Sequence, residues 1–293
     1  MTTRVLITIG LLALATGTVG ASAADRLSSD TVLTVMSGGV EREIVLHAQP
    51  MNVPQPLVLI FHGGGGSAQS MARRSGSFAG LLLRQGYAVA FMNGSSRRDG
   101  QNLRTWNGGH CCAYAMTTKI DEADYIDQAV TVIAAQAPID RSRIFLMGHS
   151  NGGMIAYRWP TALHTKVRGI VVISSAMFAD QPVMPHGTSA FLTHTLDDDT
   201  IAFDASFAPK QNRAWNAPPL PFREAEARMA EMLGCGSPKE QKVTDGVTRR
   251  DHACAKGTEL TVIVSTRGGH AWPKSIPGFS LEEAILTFLD RQR

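Results

Sequence analysis

Five apolar residues in a row, Leu57 to Phe61, follow the breaks at Pro54 and Pro56 and show no alternation with polar residues. An unbroken run of this kind reads as a strand buried on both faces, so its sheet must be covered on both sides. Further strand patterns lie at Tyr87 to Met92, Arg143 to Met147, Val167 to Ser174, Ala190 to Thr195 and Leu260 to Ser265. Helical patterns fall near 68–85, 121–137, 151–163 and 280–291. The alternation predicts βαβ units, a mostly parallel sheet with helices on both faces and functional residues just beyond the carboxyl ends of its strands. An N-terminal hairpin, Thr31 to Met36 and Glu41 to Ala48 around Ser37-Gly38-Gly39, is expected to precede it. Residues 200–258 break the rhythm with several prolines and a polar loop around one helix near 222–233. They are expected to form an irregular insertion over the sheet edge or the site.

The first 23 residues read as an export signal: Arg4, an apolar run from Val5 to Leu14, then small residues ending in Ala21-Ser22-Ala23. The apolar run is shorter than the roughly 20 residues a membrane span needs, so cleavage after Ala23 and a secreted or periplasmic chain without stable membrane insertion are expected. That leaves 24–293 as one catalytic-sized α/β domain. The formal charge of +3 is too small to argue for nucleic acid or an anionic surface. Four cysteines remain: Cys111, Cys112, Cys235 and Cys254. In an oxidising compartment disulfides are the default, and Cys235 with Cys254 is the favoured pair because it closes a polar stretch. Adjacent Cys111 and Cys112 form either a vicinal bridge or two free thiols. With His110 they lack the ligand spacing of a structural zinc site.

Gly148-His149-Ser150-Asn151-Gly152 joins a buried-strand pattern to a helical one. A G-x-S-x-G match alone is weak, but a sharp turn between strand and helix exposes the serine at the top of the sheet. A serine nucleophile also needs a base, an orienting acid and oxyanion donors. For the donors, "FHGGGGSA" follows the first buried strand, and the backbone N–H groups of Gly64 or Gly65 would act with that of Asn151. The run lacks the Gly-Lys-Ser/Thr ending of a phosphate-binding loop. For the base, chain order leaves His252 and His270, and position after a strand favours His270. For the acid, Asp197, Asp198 and Asp199 all follow the strand Ala190 to Thr195, with nothing nearby to make them a calcium cage.

In order along the chain, "FHGGGGSA", "RTWNGGHCC", "MGHSNGGM", "HTLDDDTI" and "GGHAWP" resemble the polyhydroxybutyrate depolymerase and feruloyl esterase group of α/β-hydrolases. The resemblance implies a secreted serine esterase using no metal or cofactor, with Ser150, Asp198 and His270 as triad; Asp198 is the aspartate that aligns when His194 is matched to the family pattern. It implies an ester or oligoester substrate, either a hydroxybutyrate oligomer or a feruloyl or acetyl ester of plant polysaccharide. Trp106, His149 and Trp272, beside these motifs, are candidates for lining the ester pocket. A peptidase of the same fold and an exported binding protein without activity are the alternatives.

Overall fold

The computed structural model describes residues 31–97, 103–206, 215–272 and 278–292. The expected signal, residues 1–23, lies outside them. Six parallel strands form the centre of one ten-stranded sheet, in the order β4 (Ala88–Met92), β3 (Gln55–Phe61), β5 (Ile139–His149), β6 (Val167–Ile173), β7 (Ser189–Thr195) and β10 (Glu259–Ser265). Antiparallel β2 (Val40–His47) and β1 (Thr31–Ser37) extend the sheet beyond β4. Antiparallel β9 (Val247–Ala253) and β8 (Lys239–Thr244) extend it beyond β10.

Because side chains alternate across a strand, the unbroken apolar runs feed two cores. Val58, Ile60, Phe145, Met147, Val171 and Phe191 pack on one face, under α1 (Ala68–Arg74), α2 (Gly76–Arg84) and α7 (Leu281–Arg291). Leu57, Leu59, Ile144, Leu146, Ile170 and Leu192 pack on the other, under α4 (Glu122–Gln136), α5 (Asn151–Arg158) and α6 (Phe222–Met232). A five-residue helix, α3 (Ala113–Thr117), lies before α4. Among the described residues no helix is long and apolar enough to cross a membrane.

Three expectations need correction. The helix expected over 68–85 is two helices, because the Ser75 hydroxyl donates to the Met71 carbonyl and the chain turns out of helical geometry there. The helix expected over 151–163 is an α-helix only to Arg158, and after Trp159 a single 3-10 turn, Pro160–Ala162, completes the stretch. The polar end of the insertion expected to be irregular is a regular hairpin, β8 and β9. Of its remainder, residues 207–214 lie outside the described residues. Cys235 and Cys254 are bridged as expected, which ties the chain just after α6 to the end of β9. Cys111 and Cys112 are also bridged to each other.

Candidate active site

Each candidate stands just past the carboxyl end of a parallel strand: His62 after β3, Ser150 after β5, Asp198 after β7 and His270 after β10. At Ser150 the backbone takes φ 55° and ψ −127°, a strained conformation for a residue with a side chain. The turn is held from both sides, by the Ser150 N–H to the Ile173 carbonyl at 2.9 Å and by the Ser175 hydroxyl to the Ser150 carbonyl at 2.7 Å. Its glycines leave no room for larger residues. A Cβ on Gly148 would run into the Gly152 carbonyl, and one on Gly152 into the Phe61 carbonyl of the neighbouring strand.

Three aspartates in a row behave differently. Asp198 is buried and faces His270 Nδ1, with its two oxygens at 2.9 and 3.1 Å. The same carboxylate accepts the N–H groups of Thr200 at 2.9 Å and Ile201 at 2.8 Å. Burial opposes its charge, but the His270 bond and charge, the Ile201 N–H and His194 outweigh burial and hold the carboxyl below its ordinary value. An ionised Asp198 places the ring proton of neutral His270 on Nδ1 and leaves Nε2 with a lone pair. Asp197 instead accepts the N–H groups of Gly268 and Gly269, at 3.2 and 2.8 Å, and shapes the loop that carries His270. Asp199 is exposed and, among the described residues, accepts from the Thr200 hydroxyl alone.

The glycine loop after β3 is anchored through His62. The Gly94 N–H donates to His62 Nε2 at 3.0 Å, so the proton is on Nδ1, which donates to the Gly63 carbonyl at 2.8 Å. Burial, with Arg104 adding to it and the Gly63 bond opposing, pushes this histidine down to about 4 and keeps it neutral. Gly64 stands beside Asn151, since a Cβ built on Gly64 would be 3.8 Å from the Asn151 Cβ. Asn151 opens α5, where backbone N–H groups lack helical partners. Its side chain pins the neighbouring segment, accepting from the Trp106 N–H at 2.8 Å and donating to the Trp106 carbonyl at 3.1 Å. Below that segment, Glu122 is fully buried against Arg42 at 2.8 Å and accepts the Asn107 N–H at 2.9 Å. Burial pushes Glu122 up against the pull of Arg42.

Residues 52–199, which carry the glycine loop, the serine turn and Asp198, match the family described as serine aminopeptidase, S33, a group of α/β-hydrolases. The chain belongs to this α/β-hydrolase family. Two relatives of the hydrolase are named for esterases. The chain is 25% identical to the putative esterase NocK of Nocardia uniformis subsp. tsuyamanensis, with 90% of this chain and 80% of that protein covered. It is 34% identical to feruloyl esterase B of Piromyces equi over 74% of this chain, and it spans only 39% of that longer protein. Among solved structures, the acetyl xylan esterase from Aspergillus awamori matches with a TM-score of 0.61, at 14% identity, over 89% of this chain and 99% of that one. At that identity the match speaks for the fold alone.

Several residues of the hydrolase depart from their expected places. The Gly65 N–H donates to the Arg104 carbonyl at 2.8 Å, which leaves Gly64 and not Gly65 to partner Asn151. Trp106 is fully enclosed, its indole N–H donating to the His62 carbonyl at 2.9 Å, so it buttresses the glycine loop and lines no pocket. His149 and Trp272 are buried at 8% and 5% exposure behind His270 and offer substrate little surface. His252 sits in a separate buried group with Glu226 and Arg250 beneath the hairpin. Ser175 and the Arg42–Glu122 pair support the site but carry no sequence signal, and the loop-shaping role of Asp197 was equally unreadable, because these roles depend on partners from 25 to 80 residues away.

Proposed function

We propose that the hydrolase is an exported carboxylic ester hydrolase working through Ser150, Asp198 and His270. The observation that carries this reading is the buried Asp198 carboxylate on His270 Nδ1, together with a serine held in a strained strand-to-helix turn. Ser150 Oγ attacks the ester carbonyl while His270 Nε2 takes its proton, and Asp198 stabilises the imidazolium. The oxyanion is held by the N–H groups of Asn151 and Gly64. Collapse of the tetrahedral intermediate returns the proton to the departing alcohol and leaves an acyl-enzyme, which water, deprotonated by the same histidine, hydrolyses to the free acid. No step calls for a metal or cofactor.

Among esters, the relative named as a feruloyl esterase supports feruloyl esters as the substrate class. The motif pattern supports hydroxybutyrate oligoesters as the second reading. Export is supported by the two disulfides. The test offers the mature chain p-nitrophenyl acetate, methyl ferulate, hydroxybutyrate oligomers and an aminoacyl p-nitroanilide, with Ser150→Ala beside it. Ester turnover lost by at least about 10³-fold in the mutant is expected, since the serine forms the covalent intermediate. Anilide hydrolysis without ester hydrolysis would make the protein a peptidase, and a wild type that turns over nothing and resists a fluorophosphonate probe would make it a binding protein.

A further inference from the structure

Two ring nitrogens next to the proposed base are buried with no hydrogen-bond partner among the described residues, His149 Nε2 and Trp272 Nε1. The His149 ring lies against that of His270, with centroids 4.8 Å apart and planes inclined by 39°. Trp272 meets His149 edge-on at 6.4 Å and 84°. A buried ring whose Nε2 bonds to nothing among the described residues, packed between the base and a tryptophan, acts there through its shape.

His270 needs such a part. Its hydrogen bond to Asp198 fixes one edge of the imidazole but leaves the ring free to swing about the line from Nδ1 to the carboxylate. Asp197 and Thr195 hold the backbone of Gly268 and Gly269 just before it, but those bonds do not reach the ring. A contact on the ring face removes the remaining freedom.

We infer that His149 is a positioning residue whose ring face sets the plane of the His270 imidazole, and so the aim of Nε2 at Ser150. The inference rests on the triad reading above. His149 ends β5 immediately before Ser150, so one strand end presents the nucleophile and orients the base. The charged and titratable groups facing His149 are His270, Asp198, Arg74 of α1 and His194 of β7. Burial, then His270, with Asp198 opposing, push His149 down to about 3. It therefore remains uncharged beside the imidazolium that forms during turnover.

The test compares kcat and KM for p-nitrophenyl acetate in the wild type, H149A and H149F, each per active site titrated with a fluorophosphonate. H149L is the space-filling substitute if the phenyl ring lowers the melting temperature. Misaligning a reacting group by about 1 Å costs on the order of 10²-fold. H149A is expected to lose roughly 10- to 100-fold in kcat with KM within about threefold of the wild type, and H149F or H149L to recover most of that loss. A rise in KM at unchanged kcat would make His149 a substrate contact and overturn the inference, as would wild-type kcat in H149A or equal losses in all variants. Failure of the triad reading shows separately, as wild-type activity that survives Ser150→Ala.

Discussion

Asp197, Asp198 and Asp199 are chemically identical and adjacent, yet their surroundings assign them three different tasks. Asp198→Asn would keep the shape but present an amide to His270 Nδ1, favouring the wrong tautomer, and kcat is expected to fall by about 10³- to 10⁴-fold. Asp197→Asn keeps one acceptor oxygen for the Gly268 and Gly269 N–H groups, so a loss of about 10-fold or less is expected, through loosening of the loop rather than loss of charge. Asp199→Asn, on an exposed carboxylate, is expected to leave kcat within about twofold. Steady-state kinetics on one ester ranks all three. The sequence narrowed the acid to this triplet because chain order and strand position are visible in it. Among the three, only the family resemblance aligned on His194 pointed to Asp198; strand position alone does not reveal which carboxylate turns inward to meet a histidine 72 residues away.

Strands carried by long apolar runs were legible because burial on both faces leaves no polar positions. The hairpin of β8 and β9 was not, because Lys239, Glu240, Gln241 and Lys242 are all exposed and leave no alternation to read. Such charges suit an edge strand, where they discourage pairing with another chain. This hairpin is also where the 19-residue disulfide closure acts. Replacing Cys235 and Cys254 with serine is expected to lower unfolding free energy by about 3 kcal/mol, chiefly by freeing the unfolded chain. The kcat of the folded mutant should stay within about twofold, since the bridge ties α6 to β9 and touches none of the triad. Chemical denaturation and ester kinetics on the same preparation separate the two effects.

Across the whole molecule, His62 and His149 are buried neutral, with values down at about 4 and about 3. Below their ordinary value near 6.5 the unfolded chain binds protons that the folded chain refuses, so stability falls as pH drops from about 6.5 towards 4. A shift of this size is worth about 3 kcal/mol for His62 alone. Denaturant titrations at pH 7 and pH 5 should therefore differ in favour of pH 7, and His62→Gln should reduce the difference. The fold class was readable because it follows from an alternation running along the whole chain. The N-terminal hairpin at one sheet edge was readable as well, whereas the strand order, the β8–β9 edge and the buried ionic groups were not, because they depend on pairings that periodicity does not encode.

The sheet order has a consequence for how the protein comes into being. The segment that supplies the nucleophile, β5, pairs with β3 across more than 70 intervening residues, and the base arrives on β10, which pairs with β7 across more than 60. Pairings that distant form late. Acquisition of activity is thus a clock for the end of folding: a chain whose secondary structure is already in place should remain unreactive to a fluorophosphonate until its final strand has docked.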